Sequence, residues 1–255
     1  MQPGYPEPLP PPRQPVRVSL EQATAPTVTY AIMGVTGLIY LLQMLSQTLY
    51  GQDYVAIAGM KINELIYAGQ YYRLFTPMLL HGSLLHIGFN MYALFVIGTR
   101  LERVIGHQRM ILLYLVGGFA GNVVSFLFQP APSLGASTAI FGILAAEGVF
   151  IYQNRQYLAN AQGMLTNIVS VAAINLLLGM SGGIDNWGHL GGLLGGLLFT
   201  WIAGPKIGVQ EDEYPPTLGD TRKTKDVMMA SLLVLGIFGA LALYKLLFIA
   251  PTFLR

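Results

Sequence analysis

Ser137 and His189 each open a nearly uncharged hydrophobic stretch long enough to cross a bilayer. Each is set among small residues, Gly135-Ala-Ser-Thr-Ala-Ile-Phe-Gly142 and Trp187-Gly-His-Leu-Gly-Gly192. Polar groups of this kind are costly to keep at membrane depth, which makes them functional candidates from the outset. A serine hydroxyl attacks poorly until a base takes its proton, so Ser137 needs an imidazole within hydrogen-bond reach. His189 supplies one if the two stretches pack closely. The pair points to a nucleophile and its base doing acyl transfer below a membrane surface.

Close packing is written into both stretches. Gly188, Gly192 and Gly196 recur every fourth residue, with Gly191 and Gly195 beside them, and Ala136, Ala139, Gly142 and Ala146 are small on the facing segment. Small residues at this spacing let membrane helices approach backbone to backbone. Phe141 follows Ser137 by four residues on the same helix face, in position either to lie against the His189 imidazole or to fill the core. Asp185 precedes His189 by four residues, where helix capping is its expected task, so the chemistry reads as a dyad without a third member. Acyl transfer also needs donors for the developing oxyanion. His86 and Asn90, four residues apart on one face, can provide them, helped by the free backbone N–H groups of the helix starting near Ser137. His81 lies off that face.

The elements that position these groups are membrane helices. Of 255 residues, 53% are apolar and 10% charged, with 30 glycines and a net charge of +2. No basic run suggests a nucleic-acid partner. With no cysteine there is no disulfide, thiol nucleophile or Cys-based metal site. We expect no metal or organic cofactor. Seven apolar segments, near 29–50, 83–105, 110–129, 136–153, 164–181, 187–204 and 227–250, approach the roughly 17–25 residues a bilayer requires. Arg13, Arg17, Arg100, Arg103, Arg109, Arg155, Lys206, Arg222, Lys223 and Lys225 fall on one side of this topology, and Lys61, Arg73, Lys245 and Arg255 on the other. The positive-inside rule then puts the N-terminus in the cytoplasm and the C-terminus outside, with Ser137 and His189 both starting at the outer face.

The flanks carry little chemistry. Seven prolines among the first 15 residues predict an extended tail over 1–28, in which Pro3-Gly-Tyr-Pro6 is a chance-level PxxP match. No cleaved leader is expected there. Residues 205–226, with Glu211-Asp-Glu213 and Arg222-Lys-Thr-Lys225, read as a solvated linker joining a core at 29–204 to a last helix and short tail at 227–255. Arg73 and Glu102 read as loop braces, Glu147 as snorkelling or paired, and His107 as solvated.

Taken together, Tyr72-Arg73, His81-x4-His86-x3-Asn90, Glu102, Gly135-Ala-Ser137 through Gly142, and Gly188-His189-x-Gly191 resemble the motifs of the rhomboid intramembrane serine proteases, in order and spacing over 29–204. The resemblance implies an all-α polytopic fold, a six-helix bundle with a seventh C-terminal transmembrane helix. It implies Ser137 as nucleophile, His189 as base, His86 and Asn90 as oxyanion donors and Phe141 stacked on the imidazole. The segment 51–80 becomes the family's membrane-embedded loop. The substrates implied are single-pass, membrane-anchored proteins whose transmembrane segment enters laterally from the lipid, and a bacterial plasma membrane is the expected location. Two positions depart from the pattern. Tyr72 stands for tryptophan, and Thr138 for the glycine that usually follows the nucleophile, where a β-branched side chain is expected to crowd the scissile carbonyl. Thr138 therefore leaves open a weak or inactive relative that binds transmembrane clients. A transporter or channel, the remaining alternative, would carry more ionisable groups at mid-depth.

Overall fold

The computed structural model describes residues 25–180, 183–210 and 217–249. The Pro3–Pro6 motif, most of the proline-rich tail, the acidic run at 211–213, Arg13, Arg17 and Arg255 lie outside them. Helix α1 spans Thr27–Tyr50. Two short helices, α2 (Tyr54–Gly59) and α3 (Asn63–Tyr67), and two 3-10 turns (Tyr71–Leu74, Thr76–Leu79) build the following loop. Then come α4 (Leu84–Ala93), α5 (Thr99–Ile105), α6 (His107–Phe128), α7 (Ser137–Gln153), α8 (Ala161–Gly179), α9 (Asn186–Ala203) and α10 (Thr224–Phe248). Among the described residues, five helical segments are long and apolar enough to cross a membrane: Thr27–Tyr50, Leu84–Ile105, His107–Phe128, Ala161–Gly179 and Thr224–Phe248. Helix α7 is apolar but only 17 residues long, because its start is set by the Gly135 turn.

Helices α6, α7 and α9 form the centre, and glycine makes it. Gly192 and Gly196 of α9 lie against the Thr138 and Gly142 backbone of α7, while Gly191 and Gly195 lie against Ala120 and its neighbours on α6. Gly117 meets Gly142, so α6 and α7 also touch. Helix α9 is thus wedged between two partners, one glycine stripe for each. The sequence shows the α7 stripe readily. The α6 partner is signalled by Gly117-Gly118-x-x-Gly121, which the dyad draws attention away from.

Three expectations change. The segment 83–105 is helical but not uniformly α: Leu94–Gly98 is a π-helical stretch between α4 and α5, a distortion with no period or composition signal of its own. The 205–226 connection is partly built, and the fold is not purely α. Strands β1 (Ile207–Gln210) and β2 (Thr217–Asp220) pair antiparallel. Asn154 fastens this hairpin to α7 by accepting from Ile207 N at 2.7 Å, and Arg109 pairs with Asp220 at 2.7 Å. His107 is not merely solvated, since its Nδ1 lies 2.5 Å from Glu102 Oε1.

Glu102 does more than brace a loop. Helix α1 has no side-chain cap of its own, and the Glu102 carboxylate accepts from Val28 N, Thr29 N and Thr29 Oγ1 at 2.9, 2.7 and 2.6 Å. An acceptor from α5 thereby closes the free N–H end of α1. Glu147 pairs with Arg100 across α7 and α5.

Candidate active site

Helix α7 begins at Ser137 because Gly135, at φ 139°, takes a backbone conformation that side chains avoid. A Cβ at this position would fall 2.8 Å from His86 Nε2 and 3.6 Å from Ser137 Oγ. The glycine therefore serves both the turn and the gap between those two side chains. His81 holds the start of the helix: Ala136 N donates to its Nε2 at 3.4 Å. Gln43 of α1 grips the His81 backbone through both N and O, at 3.1 and 3.0 Å. Burial pushes the His81 imidazole down to about 3, so it is neutral at physiological pH and able to accept.

His189 enters from the first turn of α9. Asp185 caps that helix, accepting from Gly188 N at 2.9 Å, the task expected of it. Its other oxygen accepts from Ser125 Oγ on α6. The His189 Nε2 then lies 2.9 Å from Ser137 Oγ. The Phe141 ring sits 4.1 Å from the imidazole, centroid to centroid, and 12° from parallel. His189 Nδ1 is buried without a hydrogen-bond partner among the described residues, so Asp185 does not complete a triad.

His86 and Asn90 share a face of α4 but stand differently. Gly82 N approaches His86 Nδ1 at 3.5 Å, which favours the tautomer with its proton on Nε2, the nitrogen at the Gly135–Ser137 side. Asn90 is one turn further along, and its Nδ2 donates to the His86 carbonyl at 2.9 Å. In this state one of its two N–H donors is occupied by its own helix.

Thr138 does not point where the sequence suggests. Its side chain is 5% exposed and lodges between α6 and α9. A Cβ on Gly121 would meet Thr138 Cβ at 2.6 Å, and one on Gly188 would meet Cγ2 at 3.0 Å. Two glycines thus make room for the β-branched residue in the interface between α6 and α9. The signal was present in Gly121, though only packing connects it to Thr138.

The loop over 51–80 is held from below and from the side. Arg73 donates to Gln70 Oε1, Ile57 O and Met60 O at 2.8, 3.0 and 2.6 Å, while Tyr72 is half exposed. Tyr114 and Asn122 of α6 donate to Met78 O and Leu74 O at 3.0 and 3.1 Å. Lys61 donates to Gln129 O at 2.6 Å, just past α6, and burial lowers its amine to about 8 although Asp185 acts to raise it. No cluster of histidine and carboxylate side chains suited to a metal occurs among the described residues.

Two residues escaped the sequence reading. Ser125 ties α6 to Asp185, and Lys245 of α10 reaches the end of α6, its Nζ donating to Phe126 O and to Leu127 O, the latter at 3.0 Å. A lysine inside an apolar helix was the available signal for the second, and charge counting alone absorbed it.

Comparison with known proteins agrees with this architecture. The Rhomboid domain family model matches residues 68–206. The chain is 40% identical over 185 residues to Rhomboid protease GluP of Bacillus subtilis, covering 72% of this chain and 36% of that protein. It is 30% identical over 198 residues to RHOMBOID-like protein 9, chloroplastic, of Arabidopsis thaliana, covering 75% and 46%. With RHOMBOID-like protein 1 of the same plant it is 36% identical over 155 residues, covering 60% and 40%. The aligned stretch is less than half the length of each of these relatives. From its matched domain and its helical membrane architecture, the chain belongs to the rhomboid family.

Proposed function

We propose that the protein is an intramembrane serine endopeptidase that cuts transmembrane segments of membrane-anchored proteins with a Ser137–His189 dyad. The observation that carries this reading is the 2.9 Å approach of His189 Nε2 to Ser137 Oγ, under a stacked Phe141, at the ends of two apolar helices. His189 takes the Ser137 proton as Oγ attacks the scissile carbonyl carbon, and the C–O bond forms as the carbonyl π pair moves onto oxygen. The oxyanion is received by His86 Nε2–H and by the open N–H groups at the start of α7, with Asn90 turning its amide toward it when substrate arrives. Collapse breaks the C–N bond, and the imidazolium protonates the leaving amine. Water, deprotonated by His189, then attacks the acyl carbon and releases Ser137.

In this reading the chain has a six-helix core over 29–204 and, over 227–255, a seventh transmembrane helix with a short tail. The N-terminus is cytoplasmic in a bacterial plasma membrane, and the dyad opens to the outer face. Substrates are single-pass proteins presented from the lipid, and no cofactor takes part.

The test is cleavage of a single-pass reporter by the purified protein in liposomes, beside Ser137→Ala and His189→Ala. Cutting that both substitutions abolish supports the reading. Cutting that survives Ser137→Ala sinks the dyad, and a parent that neither cuts nor reacts with a fluorophosphonate favours a client-binding role.

A further inference from the structure

Lys245 is the one charged residue in the buried stripe of α10, which otherwise consists of Val227, Ala230, Ser231, Val234, Phe238 and Ala242. A lysine this close to a helix end could extend to the membrane surface. Instead it is 9% exposed and turned inward. Its Nζ donates to Phe126 O and Leu127 O and lies 4.6 Å from the Phe126 ring centroid. Those carbonyls belong to the last turn of α6, which has no further helical N–H to receive and a negative dipole end to neutralise. An amine on a lipid-embedded helix is costly unless such partners meet it.

What it holds is one residue from the site. Ser125, beside Phe126, donates to Asp185, and Asp185 caps α9 through Gly188 N, with His189 N donating to the Asp185 carbonyl at 3.1 Å. Each link joins a different pair of elements: α10 to α6, α6 to the turn before α9, and that turn to the imidazole. The Ser133 Oγ, in the segment leading to Ser137, lies 3.3 Å from Ser125 Oγ, so the same residue touches the segments that lead into Ser137 and into His189.

We propose that Lys245 is a positioning residue: by capping the C-terminal end of α6 from the seventh helix, it holds Ser125 against Asp185 and so keeps His189 in register with Ser137. This inference rests on the protease reading above. It gives the seventh helix a part in catalysis that its apolar packing alone does not supply. Removing Nζ takes the donor from one buried and one part-buried carbonyl, and the end of α6 relaxes to reach other donors. The dyad spacing changes with it.

The test is the concentration dependence of fluorophosphonate labelling of Ser137 in the full chain in liposomes, with Ser137→Ala as blank. Lys245→Met should lower the maximal labelling rate roughly 10- to 100-fold, the scale of a small misplacement of reacting groups, with the half-saturating probe concentration unchanged. Lys245→Arg should recover most of that rate. Phe238→Ala, which loosens the same helix without touching the cap, should keep the parent rate at a comparable loss of thermal midpoint. Lys245→Met labelling at the parent rate, or falling only in step with Phe238→Ala, overturns the proposal while leaving the protease reading intact. A parent with no Ser137-dependent labelling overturns both.

Discussion

Helices α8 and α9 are nearly equal in length, 19 and 18 residues, and both are apolar, yet they have opposite surroundings. On α8 only Ile168 and Gly179 are buried, and Val169, Ile174, Leu177 and Leu178 face outward. On α9 half the residues are buried, His189 among them, and five of its positions are glycine. In water an apolar face would drive a helix inward. In lipid it does not, because the acyl chains are as good a neighbour as another leucine. What separates the two helices is backbone accessibility: α9 lets two other helices reach its main chain, and α8 presents branched side chains that keep others away. A 2.9 Å approach between side chains of two helices, as between His189 and Ser137, needs the first kind of helix.

The sharpest way to break this contrast is at its chemical end. Ser137→Ala and His189→Ala should each lower reporter cleavage by about 10⁴-fold or more while leaving the thermal midpoint in detergent close to the parent's. A large loss of midpoint in both would mean that the pair is structural. Next in size is the seam itself. Gly196→Leu puts a side chain onto the Gly142 backbone and should cost at least about 3 kcal/mol, beyond ordinary overpacking. Ile174→Leu on α8 should change stability by less than about 0.5 kcal/mol. Equal effects in chemical unfolding would remove the distinction between the two helices.

Thr138→Gly tests whether the departure from the family pattern matters for chemistry or for packing. The buried side chain fills the space that Gly121 and Gly188 leave. Its loss should lower stability by about 1–3 kcal/mol through a cavity and glycine's weak helix propensity, with no gain in cleavage rate. A rate increase would restore the view that threonine crowds the scissile carbonyl. The last effect concerns the loop and depends on pH. Burial holds the Lys61 amine at about 8 in the folded protein, below the ordinary lysine value of 10.5. The unfolded chain therefore binds the extra proton between those values, and folding stability rises with pH across that window. The thermal midpoint of the parent, relative to Lys61→Met, should increase between about pH 8 and pH 10; a flat or falling difference would show that Lys61 is not desolvated.

Much of the candidate site's geometry was legible in the chain. Ser137, His189 and Phe141 stood out because membrane helices have few polar residues to choose from, and helical spacing put the serine and the ring on one face. Asp185 read as a cap from its place four residues before His189, just outside the helix. The other outcomes depended on neighbours distant in sequence. Asn90 shares the His86 face, but that its amide donates to the His86 carbonyl is set by the side-chain rotamer, which spacing does not give. His107 finds Glu102 only because the turn after α5 brings them to 2.5 Å. Thr138 turns toward Gly121, which no spacing rule links to it. Lys245 meets α6 carbonyls 118 and 119 residues away.

Sequence alone determined that this chain is a set of apolar helices, which of them carry small-residue stripes, and which serine and histidine stand at their ends. Those properties are local: hydropathy, periodicity and residue size act within a helix. Tertiary structure alone decided that α9 serves two partners, that Thr138 is packed between α6 and α9, and that α10 is fastened to the end of α6. Each of these depends on the rotation and depth of one helix against another, set by backbone contact and by unpaired main-chain groups finding donors across the bundle. The alphabet of each helix constrains those choices without selecting among them.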